Sequence, residues 1–207
     1  IMIVFSCQDS VKRNEKNDLA YIQYGKWSGQ NESLAVALDL DNFKDYSELL
    51  DRTEEIACHD SLPKIVFRSG DNIKDIYFQN PCWKDYACIL VKQRNQIEIH
   101  NDTIFKGGEL IYPMDSLKQV LRKNIENFGK NPTLAESPEK LLIHISYDSL
   151  KPEKLRRTLD ELTTAYTQIT DSTNINIWLK QRIKLLPPPP PEAIRGNSVE
   201  ENGGMEQ

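Results

Sequence analysis

Two amphipathic helical stripes with one short apolar strand between them restrict this chain more than any other feature. "DSLKQVLRKNIENFG" carries Leu117, Val120, Leu121, Ile125 and Phe128 at helical spacing. Asp115 suits its N-cap, and Gly129 suits the left-handed position beyond its C-terminus. The second helix starts near Pro152, whose missing N–H does no harm in a first turn, and repeats Leu155, Leu159, Leu162, Tyr166 and Ile169 at steps of 4, 3, 4 and 3. Between them "KLLIHISYD" alternates, with Leu141, Ile143 and Ile145 on one face and Leu142, His144 and Ser146 on the other. Two striped helices and a strand with one buried face satisfy each other on a common sheet. An α+β fold, a mixed sheet backed by two helices, is therefore expected over residues 84–186.

The remaining segments supply strands. "YACILVKQ" (Tyr86–Gln93) reads as a short buried strand that "RNQ" turns into "IEIHN" (Ile97–Asn101), a hairpin, and Asn174–Leu186 alternates as a final strand. Upstream, Leu19–Trp27 and Leu34–Leu40 look like strands, and a helix over Asn42–Cys58 is capped by Asp41 or Asn42. Two further strands, Ser61–Ser69 and Ile73–Gln79, flank a "GDN" turn. Residues 19–83 thus form a small additional N-terminal α/β unit, opening β-β-α. Pro187–Pro191 stop the last strand and impose an extended polyproline spacer, and the acidic tail to Gln207 is expected to be disordered, giving a terminal segment 187–207.

Composition removes several classes of function. The chain has 207 residues, with 26 Lys+Arg against 31 Asp+Glu and a net charge of −5, so it lacks the cationic surplus of a nucleic-acid binder. No apolar run approaches the roughly 20 residues of a membrane-spanning helix; the longest interior one is Ala87–Val91. The head of residues 1–18, "IMIVFSCQDS" and a charged tether, resembles the end of a lipoprotein signal, with Val4, Phe5, Ser6 and Cys7 as lipobox and Cys7 as lipid anchor, though Phe5 is bulkier than the usual residue there. A fragment of core strand or of a longer apolar segment is the plainer reading of the same residues. Of the other cysteines, Cys82 and Cys88 are able to bridge in an oxidising compartment, while Cys58-His59 has no second pair to complete a zinc site.

With the element order set, the stretch Leu117–Asp171 resembles the periplasmic domain of the ExbD/TolR family of biopolymer-transport proteins, most closely its Bacteroidetes-type members. Gly129, Lys130, Asn131 and Pro132 match the segment that ends the family's first helix. Leu134, Glu136, Ser137, Pro138 and Lys140 match the stretch leading into its buried strand, and Glu161, Leu162, Thr163, Ala165 and Tyr166 match its second helix. "NQIEIHNDTIF" is similar to the strand, turn and strand that precede the first helix. The likeness covers residues 84–186, half the chain, and contains no reactive constellation.

The resemblance implies a non-enzymatic, membrane-anchored component of an energy-transducing envelope complex, facing the periplasm, without a cofactor. Its implied partners are an ExbB/TolQ-type multi-helix membrane protein that passes protons and a TonB- or TolA-like protein, and it implies a homodimer. The family's proton-handling element, a transmembrane helix with an embedded aspartate, does not occur in these residues. Two readings stay open: a coupling subunit, or a lipid-anchored periplasmic interaction module, for peptidoglycan or an envelope protein, that reuses the fold.

Few residues offer chemistry. His59, His100 and His144 have no nucleophile and carboxylate near them in sequence, and neither "GDN" nor "KGGE" carries the Lys-Ser/Thr partner of a phosphate loop. His144 is expected to be exposed or covered by a helix. Lys151, Lys154, Arg156 and Arg157 crowd the start of the second helix, against its dipole, so they are candidates for contact with an anionic partner as well as for a solvated face. Tyr166, within the matched helix, joins them as a partner-contact candidate. The polyproline segment reads as a spacer or as a ligand for an aromatic groove.

Overall fold

A computed structural model of the chain describes residues 19–25, 32–85, 91–108 and 110–182. The expectations for Cys7 and the tether, for residues 86–90 with Cys88, and for the polyproline segment and tail lie outside these residues. In chain order the elements are β1 (Ala20–Tyr24), β2 (Ala35–Ala37), α1 (Tyr46–Ala57), β3 (Leu62–Ser69), β4 (Asn72–Tyr77), β5 (Gln96–His100), β6 (Thr103–Lys106), β7 (Leu110–Pro113), α2 (Leu117–Ile125), β8 (Leu142–Ser146), α3 (Pro152–Thr170) and β9 (Asn176–Leu179).

The strands form two mixed sheets. The first has the order β1-β4-β3-β2, with β1 parallel to β4, β2 parallel to β3, and β3 antiparallel to β4 through the Gly70-Asp71 turn. The second has the order β7-β6-β5-β8-β9, in which β5, β8 and β9 run parallel and β6 returns antiparallel to both β5 and β7. The α+β class read from the stripes is what the chain adopts.

Ile97 and Ile99 of β5, Ile143 and Ile145 of β8, and Ile177 and Leu179 of β9 line one face of the second sheet. Leu117, Val120, Leu121 and Ile125 of α2 and Leu155, Leu159 and Leu162 of α3 join that core, and the two helices touch along their length. The far side of α3 meets the first sheet. Lys74 of β4 reaches Asp160, Ser69 of β3 donates to the same carboxylate, and Thr167 donates to Tyr24 Oη at 3.3 Å. Helix α3 therefore contacts both sheets, and both contribute to one continuous apolar core.

The sheets are also joined at their edges. Asn80 brackets the outer edge of β9, its Nδ2 donating to Leu179 O at 2.6 Å and its Oδ1 accepting from Leu179 N–H at 3.0 Å, while Gln79 N–H donates to Ile177 O. A strand edge left open would invite other chains, and a side chain that mimics a ladder partner closes it. Gly25 lies where the sheets converge, with φ +72° and an N–H bond to Thr173 O; a Cβ there would stand 2.7 Å from Tyr77 O and 3.0 Å from Ile175 O.

Several local expectations need correction. Strand β5 has β6 on one edge and β8 on the other, so it has no edge left for Tyr86–Gln93; its hairpin partner is β6, through Asn101 and Asp102 at φ +47° and +62°, residue types that tolerate the left-handed region. Helix α1 is capped by Asp45, which accepts from Glu48 N–H at 2.9 Å while Glu48 Oε2 accepts from Lys44 N–H at 2.7 Å. Asp41 and Asn42 belong to a separate 3₁₀ turn capped by Asp39. Asp115 likewise sits inside a 3₁₀ turn, Met114–Ser116, and α2 begins at Leu117. It ends at Ile125, so Phe128 leaves the stripe and is 66% exposed. Both faces of β8 are buried, and His144 is stacked on Trp178 of β9 rather than exposed. Cys82 bonds to Cys58, because the end of α1 brings the two Cα atoms within 4.6 Å, which removes Cys82 as a partner for Cys88.

Candidate functional site

The four cationic residues at the start of α3 are mostly committed within the chain. The left-handed turn residue Asp102 accepts from Lys154 Nζ at 3.2 Å, Arg157 Nη2 at 3.4 Å, Tyr147 Oη at 3.1 Å and Thr158 Oγ1 at 3.2 Å. Burial acts to raise the Asp102 pKa, but hydrogen bonds from Lys154 and Tyr147 outweigh it, and the net shift is downward. Arg156 pairs with Asp41 at 2.9 Å. The positive charge that opposes the helix dipole is thus answered by two loop carboxylates, and Lys151, just before α3, stays exposed.

A constellation hidden from sequence inspection lies at the carboxyl ends of β5 and β8. Register pairs His100 with Ser146, and Ser146 Oγ is 2.9 Å from His100 Nδ1, while Asp148 Oδ2 is 3.6 Å from His100 Nε2. The three residue types are those of a hydrolytic triad. Ser146, however, is fully buried and is not among the residues that line the neighbouring cleft. The arrangement is a latch between strand ends. The cleft itself, about 520 Å³, takes Asp45, the N-cap of α1, Ser47 from its first turn, His100, Asp148, and Arg182, whose guanidinium lies 4.0 Å over the Phe105 ring with Nε 3.6 Å from Glu98. Among the described residues no group of three or more His, Cys, Asp or Glu is placed to hold a metal ion.

The α2–β8 connector, where the family resemblance concentrates, is built by asparagines. Asn124 Oδ1 accepts from Ala135 N–H at 3.1 Å, and Asn127 Nδ2 donates to Ala135 O at 2.7 Å and to Asn131 O at 3.0 Å. Asn131 N–H returns a bond to Asn127 Oδ1, and Asn95, ahead of β5, accepts from Glu136 N–H at 2.9 Å. Glu136 then pairs with Lys140, Lys92 and Arg94, and these donors hold its carboxyl down to about 2. A loop with so many internal bonds is an ordered surface, and its shape is carried by side chains that composition would label merely polar. Tyr166 of α3 lies beside it, buried, donating from Oη to Asn174 O at 2.9 Å. Of the sequence-derived contact candidates, Tyr166 is near this loop, whereas Lys154, Arg156 and Arg157 gather around Asp102 and Asp41.

No family model matches the chain, and neither does any curated protein or solved structure.

Proposed function

We propose that this chain is a non-enzymatic, ExbD/TolR-like coupling subunit of an energy-transducing envelope complex, which works by binding other proteins. The observation that carries the reading is the order β-β-β-α-β-α-β over residues 96–179, one five-stranded mixed sheet with both helices on one face, combined with an ordered connector at the residues that carry the resemblance. The Cys58–Cys82 disulfide supports an oxidising compartment such as the periplasm. The burial of Ser146 supports recognition rather than hydrolysis at the strand-end latch. The implied partners are an ExbB/TolQ-type membrane protein and a TonB- or TolA-like protein, with a homodimer as the unit of assembly.

One observation favours the lipid-anchored interaction module as a second reading. The first sheet occupies the far side of α3 and lies outside the resemblance, which suits an accessory scaffold. Depleting the protein in its native host tests the main reading. Loss of outer-membrane uptake that a protonophore also abolishes, or of envelope integrity, is expected; a depleted strain with both intact contradicts it.

A further inference from the structure

Phe128 is held where folding alone has no use for it. Its φ is +43°, a left-handed backbone that a bulky side chain adopts only under constraint, and 66% of its surface faces solvent. The following residue, Gly129 at φ +75°, is the type suited to such a position. The constraint comes from both sides: Asn127 is fastened to Asn131 and Ala135 by its side chain, and Lys130 N–H donates to Asn127 O. Strain normally persists where the surrounding structure over-determines it, often at sites of use.

Beside the ring lies a groove of about 410 Å³ between the ends of α2 and α3. Ile125, Tyr166, Ile169 and Pro138 make its apolar lining, and Thr170 and Asn174 are among the polar residues at its margin. Its charged lining residues are both acidic, Glu126 and Glu139. Arg122 Nε lies 3.8 Å from Glu126 Oε1 in an exposed pair of the kind that contributes little. An exposed aromatic, an apolar hollow and an acidic rim have the make-up of a docking hot spot for a cationic partner.

We propose that this groove, headed by Phe128, receives an aliphatic side chain of a partner protein carried between lysine or arginine residues. The proposal rests on the reading of the chain as a protein-binding subunit and adds the face and the partner chemistry. The acidic rim selects cationic flanks, and the ring stands on a backbone whose conformational entropy is already lost.

The test is titration of the full chain, followed by amide NMR, with the synthetic peptide acetyl-Gly-Lys-Leu-Ile-Lys-Gly-amide. Analogues carry Glu in place of both Lys, or Gly in place of Leu and Ile. Shifts are expected at Ile125, Phe128, Tyr166 and Ile169, with each analogue binding about fivefold or more weakly. Phe128→Gly is expected to weaken binding by about tenfold while its melting temperature holds or rises, because glycine relieves the strained backbone. Glu126→Gln with Glu139→Gln keeps the backbone intact and is expected to weaken binding and remove its salt dependence. Shifts that ignore the peptide's charge, shifts that fall elsewhere, or a Phe128→Gly variant that melts earlier and binds unchanged would each overturn the proposal. Peptide binding as expected, with no membrane partner found in cells, keeps the docking site and removes the ExbD-like reading; a membrane partner without peptide binding removes the docking site alone.

Discussion

Lys74 Nζ lies 2.6 Å from Asp160 Oδ1, and this contact joins the inner face of the first sheet to the helix that backs the second. Lys74 is almost fully buried, and its ammonium also donates to Thr163 Oγ1 at 3.1 Å and Thr164 Oγ1 at 2.8 Å. Removing Asp160 leaves that ammonium without its counter-charge. Asp160→Ala is expected to cost about 2 kcal/mol, less than a fully buried pair because Asp160 is partly exposed, while Lys74→Met stays within about 1 kcal/mol of wild type. Urea unfolding of the two variants checks the asymmetry; equal losses would assign the contact to packing.

The disulfide Cys58–Cys82 closes a loop of sequence separation 24, from the end of α1 to the segment after β4. Closing a loop of that size stabilises by about 3 kcal/mol in the chain-entropy account. Reduction should therefore lower the unfolding free energy by that order, and a Cys58→Ser, Cys82→Ser variant should match the reduced protein and no longer respond to reductant. Thermal unfolding with and without dithiothreitol measures this.

Gly25→Ala is expected to cost about 2–3 kcal/mol, since the new Cβ meets two backbone carbonyls and the left-handed φ adds strain. The loss should appear as one cooperative transition, because Gly25 follows β1 of the first sheet and its N–H bonds Thr173 O in the segment that leads into β9 of the second. Separate transitions by calorimetry would mean that the sheets fold independently.

His144 has neither ring nitrogen bonded, and burial, reinforced by Lys180, pushes its pKa down to about 3. The unfolded chain therefore binds a proton between the ordinary value of 6.5 and about 3 that the folded chain refuses. Stability from this residue is full above pH 6.5 and falls as pH drops through that window. His144→Phe keeps the stack on Trp178 and removes the titration, so at pH 5 it should be more stable than wild type by roughly 2 kcal/mol. Asp102, Asp160 and Glu136 have lowered pKa values, so their contributions hold above the ordinary carboxylate range and are lost below about pH 4 in both proteins. Unfolding free energies from pH 7 to 3 separate the two slopes.

The helix stripes, the Gly70-Asp71 turn and the α+β class were legible because each rests on local periodicity or turn chemistry. The likeness of "NQIEIHNDTIF" to a strand, turn and strand pointed to β6 beside β5, but the pairing of β5 with β8 was hidden, since it joins residues 46 apart and no local signal marks a distant strand edge. The Ser146–His100 latch and the Cys58–Cys82 bond were hidden for the same reason. Phe128 continued the apolar spacing of α2 and was read as core; the asparagine bonds that end the helix at Ile125 depend on a loop folding back, which spacing does not record. The cationic start of α3 was legible as a cluster, but Asp102 and Asp41, which neutralise most of it, come from other parts of the chain.

The coupling-subunit reading is tested most directly by lysine-reactive crosslinking of the protein, expressed from its own gene in its native host, with mass spectrometry of the linked partners. The account predicts recovery of a multi-helix membrane protein of the ExbB/TolQ type, linked reproducibly to this chain and absent when the gene is deleted. Recovery of only soluble or peptidoglycan-linked species would contradict it and leave a binding module built on a mixed α+β fold.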